Sequence, residues 1–109
     1  MFEQAREDRR AQGARGPLLI ARWAVARCLR SLGRIEESLH EQQQLLIEHQ
    51  RDGSSDGYVH EEIAECLLSL GRGDEAKQHF RRAMELLAPA GHSHDLDPER
   101  IARWTRHSA

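Results

Sequence analysis

Aromatic residues are scarce in this chain, at 5% of 109 residues, while the apolar fraction is 39%. So few bulky rings leave a single compact core thin. Stacked helical pairs with small residues at their contacts suit the composition better. No apolar run reaches the roughly 18 residues of a membrane span, and the expectation is that no membrane is involved. The start, Met1-Phe2-Glu3-Gln4-Ala5-Arg6, lacks the apolar centre of a signal peptide, which makes a soluble cytoplasmic protein the default. Cysteine is limited to Cys28 and Cys66. A reducing cytoplasm disfavours a disulfide, and the reading is two small residues packed between helices. Net charge is also small, at -2, which argues against a nucleic-acid protein. The arginines of the basic start, Arg6, Arg9, Arg10 and Arg15, are interleaved with Glu3, Glu7 and Asp8 and read as a solvated helix.

The small total hides an uneven distribution. Residues 1–34 carry a net charge of +5, residues 35–75 a net of -9 and residues 76–109 a net of +2. Most of this charge is expected on solvated helix faces.

What the chain does have is an internal repeat. Cys28-Leu29-Arg30-Ser31-Leu32-Gly33-Arg34 returns 38 residues later as Cys66-Leu67-Leu68-Ser69-Leu70-Gly71-Arg72, with six of seven residues identical. Self-similarity at this period signals a repeat architecture in which each unit buries its apolar face against the next. Ala76, Phe80, Ala83, Met84 and Leu87 form one stripe of an amphipathic helix, and Ile63, Ala64, Leu67 and Leu70 another. Between them Gly71-Arg72-Gly73-Asp74 ends one helix and starts the next, with Asp74 as the expected cap. The same design precedes it. Leu19 to Arg34 carries Val25, Ala26, Leu29 and Leu32, and Ile35 to Arg51 carries Leu39, Leu46 and Ile47. The linker Asp52-Gly53-Ser54-Ser55-Asp56-Gly57 consists of turn residues.

The second helices also align with the start of the chain. Phe80, Ala83 and Gly91 match Gln42, Leu45 and Gly53, and then Phe2, Ala5 and Gly13. Residues 1–13 are therefore read as a partial repeat, 19–52 and 57–90 as two units, and 97–107 as a helix covering the end of the stack. That last helix is expected to start at Asp97 and Pro98. The expected fold is all-α, a right-handed solenoid of antiparallel helix hairpins in a single domain.

These residues resemble the tetratricopeptide repeat family. In the better unit the family's small residue falls on Ala64, its turn glycine on Gly71, and its Ala, aromatic and Ala of the second helix on Ala76, Phe80 and Ala83. The first unit keeps Ala26, Leu29 and Gly33 but has Ser38, Gln42 and Leu45 in the second helix. The resemblance implies a groove lined by the first helices. That groove would carry Ile20, Trp23, Arg27 and Arg30, then Tyr58, Glu61, Glu65 and Leu68, then Glu99, Arg103 and Arg106. It also implies a peptide or protein partner, with Trp23 and Tyr58 as anchors. Arg27, Glu65 and Arg103 take one place on three successive helices, and they are expected either to pair with each other or to meet a partner. The Lys and Asn pattern that grips a C-terminal carboxylate in chaperone-binding members is missing, with Trp23, Arg27, Glu61 and Glu65 at those places.

Other motifs carry less. Gly53-Ser54-Ser55-Asp56-Gly57 fits G-x-S-x-G, but a nucleophile elbow needs a preceding strand where a helix is expected. His92, His94, Asp95 and Asp97, with His107 beyond, match no metal-ligand spacing. Glu36 with His40 and Glu75 with His79 are i, i+4 pairs expected on helix surfaces. The expectation is an interaction module that is not an enzyme and holds no cofactor or metal. Self-association as a homodimer is the alternative, and hydrolysis through Ser55 or a metal on the His92 cluster ranks below both.

Overall fold

The structure, a computed structural model, describes the backbone of residues 2–87 and 98–108 and the side chains from residue 16 onward within them. The chain is all-helical: α1 is Phe2–Ser31, α2 Ile35–Asp52, α3 Gly57–Ser69, α4 Gly73–Leu87 and α5 Pro98–Ser108. The described residues contain no strand. None of these helices is long and apolar enough to cross a membrane.

The repeated heptad makes the same turn twice. At its first occurrence Gly33 N–H donates to Arg30 C=O at 3.0 Å and Arg34 N–H to Leu29 C=O at 2.9 Å. At its second, Gly71 N–H donates to Leu68 C=O at 3.1 Å and Arg72 N–H to Leu67 C=O at 2.8 Å. Both glycines sit at positive φ, +84° and +75°, the left-handed conformation that satisfies the last carbonyls of a helix. α2 ends the same way at Gly53, after His49 and Arg51 in a last turn whose partial negative charge favours cations. Asp56 then caps α3, its side chain accepting from Tyr58 N–H at 2.9 Å. α3 starts so close to the end of α4 that a Cβ on Gly57 would lie 2.6 Å from Leu87 Cγ.

Each helix packs on the next, α1 on α2, α2 on α3, α3 on α4 and α4 on α5, and α1 also touches α3. The core is centred on α3, where Val59, Ile63, Ala64, Cys66 and Leu67 are buried. Leu39 and Leu45 reach it from α2, Ala76, Phe80 and Leu87 from α4, and Trp104 from α5. Ser38 and Gln42 of α2 are buried too. Ser38 Oγ donates to Ala26 C=O at 2.7 Å, and Gln42 Nε2 donates to Trp23 C=O at 3.4 Å.

Several sequence expectations need correcting. Residues 1–13 were expected to be separate from the helix at 19–34, but α1 runs through Gly13, Gly16 and Pro17 without a break. Asp74 does not cap α4. That helix begins at Gly73, and Asp74 stands exposed in its first turn, 3.7 Å from Lys77. The cysteines are not equivalent, since Cys66 is buried and Cys28 is exposed. Val25 and Leu32, expected to pack, are 62% and 73% exposed, because no helix lies on that side of α1 among the described residues. Ile47 of α2 is also open. The cap expected at Asp97 and the cluster of His92, His94 and Asp95 fall outside the described residues.

Candidate functional site

α1, α3 and α5 bring most of the expected groove residues to one side, where opposite charges take each other up. The Arg30 guanidinium forms a fork on Glu62, with both contacts at 3.0 Å. The Arg103 fork holds Glu65 at 2.9 and 2.6 Å. Glu61 receives Arg100, with Nε 2.6 Å from Oε2, and also Trp104 Nε1–H at 2.9 Å. Glu61 and Glu62 are buried, and a buried carboxylate persists only with partners of this kind. The expected ladder of Arg27, Glu65 and Arg103 thus forms on one side only. Arg27 lies instead over the Trp23 ring, 5.5 Å from its centroid.

The other end of this side is apolar. Trp23 and Tyr58 meet edge to face, with centroids 6.2 Å apart and planes at 70°. Trp23 Nε1–H donates to Tyr58 C=O at 3.3 Å, which fixes the indole against the start of α3. Ile20, Trp23, Tyr58 and Asp56 line a cleft of about 370 Å³. Exposed Ile20 and Arg27 flank Trp23, each about one turn of α1 away along this wall. Arg100 covers the far side of Tyr58, 5.6 Å from its ring, and spans to Trp104 at 5.2 Å.

The remaining expected residues stand apart from this cleft. Leu68 is half-buried and lines a separate hollow of about 510 Å³ with Arg106 and His107. Glu99 is exposed in the first turn of α5. Sequence reasoning missed Arg100, Glu62 and Trp104. The signal for Trp104 was the repeat itself, since it occupies the register of Cys28 and Cys66.

Ser55 is exposed in the turn between two helices, with no strand before it. Its neighbour Ser54 lies 2.9 Å from His49 Nδ1, and His49 Nε2 is 4.0 Å from Asp56. Ser54 Oγ also donates to His49 C=O at 3.3 Å, and Asp56 caps α3, so this trio closes the α2–α3 turn. No group of three or more His, Cys, Asp or Glu suited to a metal occurs among the described residues. Comparison of the chain with protein-family models, curated proteins and solved structures finds no match.

Proposed function

We propose that this chain is an interaction module built as a right-handed helical solenoid of tetratricopeptide type. It would take an apolar side chain of a protein or peptide partner between Ile20, Trp23 and Tyr58. The carrying observation is the cleft of about 370 Å³ with rings on two helices and an exposed Ile20 at its mouth. Aromatic walls held rigid by their own contacts bind at low entropic cost. Glu61, Glu62 and Glu65 are occupied by arginines of this chain, so they offer little to a partner. Exposed Arg27 beside the cleft suits an acidic residue next to the anchor. In this reading the protein is cytoplasmic, carries no cofactor and performs no catalysis.

Ile20→Arg fills the cleft mouth with charge and leaves the core untouched. Affinity purification from the native host should lose specific partners with Ile20→Arg and keep them with the wild type. Identical captured proteins would overturn the proposal.

A further inference from the structure

α1 carries a second apolar surface, roughly 150° round the helix from Ile20, Trp23 and Arg27. Leu18, Ala21, Val25, Cys28 and Leu32 are exposed along it, and Leu29 is half-buried at its edge. The repeat shows what such a face is for. Thirty-eight residues on, Ala21, Val25, Cys28 and Leu29 become Val59, Ile63, Cys66 and Leu67, which are all buried. There α2 supplies the cover, with Cys66 Sγ 3.4 Å from Ser38 Oγ. The third residue in this register, Trp104, is buried on α5. Two of the three copies are covered, and the one on α1 is open.

We infer that a second copy of this chain covers this face, with the two α1 helices packed antiparallel across a two-fold axis at Val25. Three observations select this occupant. First, five of the six apolar positions are symmetric about Val25, and the sixth, Cys28, falls opposite Arg22. Leu18 and Leu32 lie seven residues to either side, and Ala21 and Leu29 four. Reversing the helix therefore sets Leu18 on Leu32, Ala21 on Leu29 and Val25 on itself. Such an isologous contact closes without leaving an open end. Second, the spacing of Leu18, Ala21, Val25, Cys28 and Leu32 alternates three and four, the seam by which two helices interlock. Third, the charges agree. Glu36, Glu37 and Glu41 of α2 rim the Leu29 end of the stripe. The antiparallel arrangement carries the arginine-rich start of the other α1 past that rim. Glu36 and Glu41 of that rim are exposed, Glu37 is paired with Arg34 of its own chain, and residues 1–15 carry four Arg against three acids. The cleft at Ile20 and Trp23 faces away from the pair and stays open in the dimer.

Sedimentation of the full chain across micromolar concentrations should show a monomer–dimer equilibrium. Val25→Arg sets two guanidinium groups face to face on the axis and should weaken the dimer by about a hundredfold. Val25 is exposed, so helical content should not change. Cross-linking reads the geometry. In a Cys28→Ser background, Val25→Cys should form an intermolecular disulfide on mild oxidation. The native Cys28 residues should not, since the antiparallel register separates them by about 9 Å along the helices. A wild type that stays monomeric at high micromolar concentration overturns the inference. So does a dimer that survives Val25→Arg, or one that cross-links through Cys28 and not through position 25.

Discussion

At the residue scale the least expected contact is between two histidines. His60 and His79 meet Nδ1 to Nδ1 at 3.0 Å beside the α2–α3 turn. Such a contact holds one proton, because two imidazolium rings would point N–H at N–H. Burial, followed by the charges of His79 and Arg82, lowers His60 from 6.5 to about 4, and Asp56 acts against them. Burial also lowers His79, with Glu75 opposing it. The unfolded chain loses these constraints and takes up protons near 6.5. Between about 6.5 and about 4 the unfolded state therefore binds more protons than the folded one, and stability falls as pH drops through that window. Urea midpoints measured from about pH 7 down to about pH 4.5 should decline in the wild type, and less steeply in His60→Gln. Equal slopes would place the acid sensitivity elsewhere. The sequence paired His79 with Glu75 one turn away, whereas the structure joins Glu75 to Arg72 at 2.5 Å. Local spacing reveals neighbours along a helix, but a contact between α3 and α4 depends on how the two helices cross.

At the element scale the turns were the most legible part, because Gly33, Gly53 and Gly71 act through local backbone chemistry. The helix faces of α3 and α4 were legible too, since Phe80, Ala76 and Ile63 are buried as their periodicity implied. α1 was not. Residues 1–13 and 19–52 read as separate units, yet the helix continues through Gly13, Gly16 and Pro17. Pro17 lacks the N–H that would donate to Gly13 C=O, and a proline inside a helix costs about 3 kcal/mol relative to alanine. A proline at the first turn of a new helix costs nothing of the kind. Pro17→Ala therefore separates the two arrangements. In the continuous α1 it should raise far-UV helicity and stabilise the protein by about 1–3 kcal/mol in urea titration. Unchanged helicity with equal or lower stability would mean that a second helix begins at Pro17.

At the scale of the whole molecule, the internal repeat was more legible than the use made of its surfaces. Ile20, Trp23 and Tyr58 were expected on one face and line one cleft, but which charges satisfy each other was not legible. Glu61 with Arg100 and Glu65 with Arg103 stand 39 and 38 residues apart, and the pairing depends on the geometry between helices. These pairs make α3 the hub of the stack. Arg30 and Trp23 tie α1 to it, while Arg100, Arg103 and Trp104 tie α5. The described helices, tied together through α3, should unfold as one. The two tryptophans make this measurable. Trp104→Phe removes the buried N–H donor to Glu61 at a cost of about 1–2 kcal/mol and leaves Trp23 as the sole indole. In that variant the unfolding of the α1–α3 contact, followed by Trp23 emission, should coincide with the loss of helix followed by circular dichroism. Both midpoints should shift down together from the wild type, because damage at α5 reaches Trp23 through α3. If Trp23 kept its wild-type midpoint while helix was lost earlier, α5 would be fraying alone and α3 would not be coupling the two ends.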